Sequence, residues 1–199
     1  MKSVLISTQP KWCELIASGK KKVDVRKTKP KLETPFKVYI NATKPSKKFD
    51  WGLCGDKWGI GVTALINYDL AQRLGLEILS GKVIGEFVCD KVEQGHILWV
   101  KEQPEYYDQV EEKTQLTYRQ MFDYLGESGV GYFWHISNLV IYDKPRELSE
   151  FRTPCKMGEM LCGICDYAVH GMDGDLIDCN TSLERPPQSW CYVESEDTE

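Results

Sequence analysis

The sequence predicts an α+β domain, a mixed and mostly antiparallel β-barrel with flanking helices, followed by a small Cys-rich module. Three observations lead there. Apolar residues recur with a period of two in some segments and at helical spacing in others, so both strands and helices are present. No regular strand–helix alternation repeats along the chain, which argues against a doubly wound parallel sheet. After Pro145 aliphatic residues thin out and five of the eight cysteines gather, dividing the chain into residues 1–150 and a tail, 151–199.

Val4-Leu5-Ile6 reads as a buried strand. Ser7 or Thr8 can then cap a helix with Pro10 in its first turn, where a missing N–H costs nothing. Trp12, Leu15 and Ile16 share one helical face, and Gly19 is a natural C-terminal stop. From Lys20 the period changes. Lys20, Lys22, Asp24 and Arg26 share one parity and Val23 and Val25 the other, the pattern of a strand with valines in the core and a polar side facing out.

Phe36 to Asn41 forms the next strand, and residues 44–61 read as a long loop. Within it Gly59-Ile60-Gly61 lacks the third glycine, or the Gly-Lys-Ser/Thr, of a phosphate cradle. Leu70, Leu74 and Ile78 place a helix from Tyr68 that ends near Gly81. Lys82 to Val92 has the β-branched and aromatic content of a strand. Thr117 can cap a later helix whose apolar stripe is Tyr118, Met121, Phe122 and Leu125, and Gly131 to Tyr142 supplies one or two further strands.

No apolar run reaches the roughly 18 residues of a membrane helix, and the opening apolar stretch is too short for a secretory signal. The expected compartment is the cytosol, where cysteines serve as thiols or metal ligands rather than disulfides. Charge is spread unevenly. Residues 1–48 hold 13 Lys and Arg against 3 acids, although the chain as a whole carries −5. Such asymmetry marks a polyanion-facing region on a body kept soluble by acids, whereas a lysine run by itself describes only a solvated face.

In the tail, Cys162-Gly-Ile-Cys165 is followed by Cys179 and Cys191. Four thiolates at this spacing suit a closed, structural Zn2+ site, which can fold a segment too poor in apolar residues to fold alone. Cys155 and His170 are possible substitutes for one ligand, and a redox pair at Cys162 and Cys165 or plain unligated thiols are the competing readings. Four sulfurs leave no open position for catalysis. Cys13, Cys54 and Cys89 read as small packing residues.

The opening run now carries a resemblance. Gly19-Lys20-Lys21-Lys22-Val23-Asp24-Val25-Arg26, after a strand and a helix, resembles the signature of ASCH domains, Gly-x-Lys-Thr-x-[Thr or Glu]-x-Arg. Gly19, Lys21 and Arg26 match it, while Lys22 and Asp24 stand at its Thr and Thr-or-Glu positions. GKVIGEFVCDKV resembles the family's central barrel strand, and GYFWHISNLVIYDKPRELSEF the closing strand and turn of phage and prophage ASCH proteins. RPPQSWCYVE resembles that subgroup's Cys-rich ending.

The resemblance implies a PUA-like barrel with a basic cleft beside the first helix, suited to RNA or to a modified nucleoside or nucleotide. Lys20, Lys21, Lys22, Asp24 and Arg26 would form the cleft, with Trp134 stacking on an unpaired base. Asp24 can orient a cation, accept from a base amino group, or form an ordinary cross-strand ion pair. His135 reads first as a satisfied barrel histidine and second as a ligand contact. Some small ASCH proteins are amidohydrolases of N4-acetylcytidine, using a lysine and a threonine of this run with a glutamate from elsewhere. A lysine of lowered pKa can activate a hydroxyl or a water; Lys21 falls at the lysine position, but Asp24 stands at the threonine and has no hydroxyl, and its carboxylate could instead serve as a base for water. Zinc-deaminase chemistry fits less well, because no His-x-Glu occurs at His96, His135 or His170.

Overall fold

A computed structural model of the chain describes residues 2–44, 51–55, 62–97, 104–154, 168–170, 176–179 and 181–194. Its strands are β1 (Lys2–Thr8), β2 (Val23–Arg26), β3 (Phe36–Ala42), β4 (Trp51–Gly55), β5 (Val62–Asn67), β6 (Glu77–Ile78), β7 (Val83–His96), β8 (Val130–Arg146), β9 (Ala168–His170), β10 (Leu176–Cys179) and β11 (Trp190–Glu194). The helices are α1 (Pro10–Ala17), α2 (Tyr68–Leu74), α3 (Pro104–Thr114) and α4 (Tyr118–Leu125). A six-stranded sheet in the order β11-β1-β3-β7-β8-β2 is the frame; β5-β4-β6 and β10-β9 form two smaller sheets. Within the frame β1 and β3 are parallel and the other pairs antiparallel, the mixed arrangement expected.

The central strands are covered on both faces, which is why Val4-Leu5-Ile6 is apolar without alternation. Val4, Ile6, Val38 and Ile40 pack with Cys13 and Ile16 of α1 on one face. Leu5, Tyr39, Val83 and Val193 pack with Leu148 and Phe151 on the other. A further cluster joins Val23 and Val25 of β2 to Met121 and Leu125 of α4.

The expected barrel does not close through its main chain: among the described residues no ladder joins β2 to β11, the two edges of the sheet. Side chains bridge the seam instead. Arg26 of β2 donates to the carbonyls of Ser7 and Ser189, Trp190 donates Nε1–H to Thr28 Oγ1 at 2.9 Å, and the Lys31 amide donates to the Tyr192 hydroxyl at 2.7 Å.

Several local expectations are corrected. Ser7 and Thr8 stay in β1, and Gln9 is the N-cap of α1 without a side-chain cap bond, Pro10 following as expected. Gly19 does stop that helix, at φ +71° with its N–H bonded to Ile16 O. The strand after it begins only at Val23, so Lys20 to Lys22 are a connection. The helix from Tyr68 ends at Leu74, because Gly75 turns at φ +63° into β6, and Leu70 and Leu74 are exposed. Trp51–Gly55 is a strand within the expected loop, while Gly59-Ile60-Gly61 lies outside the described residues. Helix α3, polar over much of its length, gave no clear periodic signal. Thr117 caps α4 as expected, through a reciprocal capping box with Gln120. Beyond residue 150, β11 pairs with β1 at the edge of the main sheet.

Candidate functional site

Asp24 and Arg26 share the face of β2 opposite the valines, but that face is buried rather than solvated: the two residues are 5% and 6% exposed. The end of β1 and the segment before β11 cover it. Arg26 Nε donates to Asp24 Oδ2 at 2.6 Å, Nη1 to the carbonyl oxygens of Ser7 at 3.1 Å and Ser189 at 3.0 Å, and Nη2 to Thr8 Oγ1 at 3.2 Å. A guanidinium this fully engaged acts as a clamp and has little left to offer a phosphate.

Lys21 is also buried, at 2% exposure. Its Nζ donates to the carbonyl of Thr114, at the end of α3, at 2.7 Å, and lies 3.7 Å from Asp24 Oδ1. The Trp12 ring is 5.5 Å from the ammonium. Burial lowers the pKa of Lys21 below the usual lysine value, Arg26 adds to that, and Asp24 opposes it. Beneath the group, Cys13 donates its thiol to Thr8 O at 3.4 Å, and burial together with Asp24 pushes its pKa well up, so it packs as a neutral thiol. Cys89 behaves alike, pushed up to about 12 mainly by burial.

A cavity of about 900 Å³ opens beside α1. Trp12, Lys21, Asp24 and Arg26 line it from the first segment, Tyr124 from α4 and Ser189 from the C-terminal segment. Of the basic run, Lys27 joins this lining and lies 5.4 Å from the Tyr124 ring, whereas Lys20 and Lys22 are exposed outside it. Trp134, expected as a stacking platform, is fully buried in the core, edge-on to Phe36 at 5.6 Å. No base can reach its face. His135 is bonded through Nε2 to Glu93 Oε2 at 2.6 Å, the satisfied-histidine arrangement, and does not line the cavity.

The aromatic walls were therefore missed where they lie. Trp12 was legible as a helical residue, and Tyr124, off the apolar stripe of α4, was the available hint. Ser189 carries no local signal.

Of the expected zinc ligands, Cys162 and Cys165, like the substitute Cys155, lie outside the described residues, while Cys179 and His170 fall in β10 and β9. Cys191 sits in β11 as a free, partly buried thiol against the cluster of Leu5 and Tyr39, its pKa pushed up to about 11 by burial. Among the described residues no helix is long and apolar enough to cross a membrane.

No model of a known protein family matches the chain, and no curated protein matches it. Among solved structures it is similar to the ASCH protein of Zymomonas mobilis, with a TM-score of 0.49 and 16% identity over 98% of this chain and 89% of that one. A Tyr-to-Phe variant of that protein gives a TM-score of 0.49 and 18% identity, covering 74% of this chain and 77% of its own. A Ser-to-Ala variant gives 0.48 and 18%, with coverages of 73% and 74%.

The buried Lys21 makes a signed prediction. Its folded-state pKa lies below the ordinary 10.5, so between those two values the unfolded chain binds more protons and stability rises with pH. In urea melts across that window, wild type should gain stability relative to Lys21→Met as pH increases. A flat or falling difference would contradict a charge held at a cost.

Proposed function

We propose that the chain is an ASCH-domain protein of PUA-like type whose cavity takes a single nucleobase or modified nucleoside, free or at an unpaired position of RNA. The observation that carries this reading is the cavity of about 900 Å³ with the buried Lys21 and Asp24 in its wall. Its volume lies within the range of small-molecule sites, which bind an apolar body and fix it with a few placed polar groups. Trp12 and Tyr124 supply aromatic surface, and Lys21 and Asp24 supply a donor and an acceptor side by side. The motif residues Gly19, Lys21 and Arg26 support the same family reading, with Arg26 as the clamp that fixes the wall. Exposed Lys20, Lys22 and Lys29 would add a salt-dependent attraction for flanking phosphates.

A second reading, N4-acylcytidine amidohydrolase, is favoured by the lowered pKa of Lys21 beside the cavity. A lysine held towards its neutral form can take a proton from water as that water adds to the acyl carbonyl. The C–N bond then breaks, the proton passes to the leaving N4 amine, and a carboxylic acid and cytidine result. Asp24 would orient the ammonium formed.

The tail is read as a structural Zn2+ module with Cys162, Cys165, Cys179 and Cys191 as ligands.

Calorimetric titration with cytidine and N4-acetylcytidine tests the first reading. Saturable binding should weaken at least about tenfold in Lys21→Met, the worth of one charge-assisted hydrogen bond; indifference to the substitution would overturn it. Ultraviolet absorbance separates the second, since deacylation of N4-acetylcytidine abolished by Lys21→Met would make the protein an enzyme. For the tail, wild type should retain zinc through gel filtration and Cys162→Ser should lose it; a metal-free wild type refutes the module.

A further inference from the structure

Arg26 leaves one polar group of the cavity wall half used. Its Nε and Nη2 form one edge of the guanidinium fork, and along that edge Nε donates to Asp24 Oδ2 while Nη2 donates to Thr8 Oγ1 at 3.2 Å. Thr8 ends β1, and strand alternation puts it with Val4 and Ile6 on the face packed against Cys13 and Ile16 of α1. The cavity opens beside that helix, and Thr8 and Trp12 both line it. Thr8, at 3% exposure, thus stands in the cavity wall next to the buried ion pair.

A hydroxyl both accepts and donates. Arg26 takes the acceptor half of Thr8, but among the described residues nothing accepts its hydrogen, Asp24 on the same edge included. Accepting from a cation also polarises the O–H and makes it a stronger donor. Lys21, on the other side of Asp24, can likewise only donate, and the Thr114 carbonyl takes one of its three hydrogens. The two groups that flank the ion pair therefore call for acceptor atoms, and the amino group of a base is not one. An anchoring role explains why Thr8 is polar, yet it leaves the hydroxyl hydrogen buried without a partner, which costs stability. A ligand oxygen would relieve that penalty.

We propose that Thr8 donates its hydroxyl to a carbonyl oxygen of the base held in the cavity, the 2-carbonyl where that base is cytosine. The proposal rests on the nucleobase reading above and adds the atom by which the base is recognised. A carbonyl oxygen has two lone pairs and can take a second donor such as Lys21, which the ring nitrogen N3 cannot. Thr8 is then a specificity residue that selects bases carrying a carbonyl at this place, by direct contact and not through Arg26.

Calorimetry with cytidine and 2-thiocytidine decides it, because sulfur is the weaker acceptor at the atom in question. Wild type should bind cytidine about fivefold more tightly than the thio analogue, the worth of one hydrogen bond. Thr8→Val removes the hydroxyl at similar volume, so cytidine should bind several-fold more weakly and the preference for oxygen over sulfur should shrink at least about threefold. Thr8→Ser keeps the hydroxyl and should retain both. Because Thr8→Val also strands an Arg26 N–H, a lower melting temperature is expected on either view and the ratio of the two affinities is the readout. A purely structural threonine weakens both ligands alike, and an unchanged ratio in Thr8→Val, with cytidine still bound, would overturn the proposal and leave the cavity reading standing. Should that variant fail to fold, wild type alone answers, since equal affinity for the two nucleosides overturns the assignment. A wild type that binds neither cytidine nor N4-acetylcytidine would remove the nucleobase reading and this one with it.

Discussion

The Arg26 guanidinium, held by the Asp24 carboxylate, is the contact on which the rest of this molecule depends. It sits where the six-stranded sheet fails to close. From one edge strand it reaches the carbonyls of Ser7, at the end of β1, and of Ser189, just before the opposite edge strand. A main-chain ladder would have done the same with a row of weaker neutral bonds; charge-assisted bonds from a rigid fork do it with one side chain. Burying the pair is costly, and it survives because nearly every donor and acceptor on it is occupied.

The same clamp sets the electrostatics of the cavity. Asp24 divides its two oxygens between Arg26 and Lys21, so the carboxylate that fixes the seam also holds the lysine in place. Lys21 is further tied to the Thr114 carbonyl at the C-terminal end of α3, where the helix dipole favours a cation. Burial works against that charge, and the outcome is an ammonium held less firmly protonated than a surface lysine. Asp24, puzzling as a lone acid in a basic run, is thus the group that lets two cations be buried beside each other.

The sequence was informative wherever the cause of a feature is local. The Gly19 stop and the Thr117 cap each depend on neighbours a few residues away, and each is found where expected. Parity also placed Asp24 and Arg26 on one face of β2. What it could not say is what covers that face, because the acceptor at Ser189 lies 163 residues along the chain from Arg26. The partner of Lys21 was hidden for a related reason: Thr114 is 93 residues away, on a helix with little periodic signal. Trp134 shows the limit from the other side, since a strand aromatic is equally compatible with core and cleft until the sheet is assembled. Composition reports what a segment is made of and not what it pairs with, so the pairing of β11 with β1 was not legible.

A double-mutant cycle on Asp24→Leu and Arg26→Met, read by urea unfolding, addresses the seam most directly. Each single substitution strands a buried charge and should cost about 3–5 kcal/mol. The double variant removes both charges and should lose much less than the two losses combined. Costs that simply add, to within about 0.5 kcal/mol, would mean that the two residues act independently and that no clamp closes the sheet.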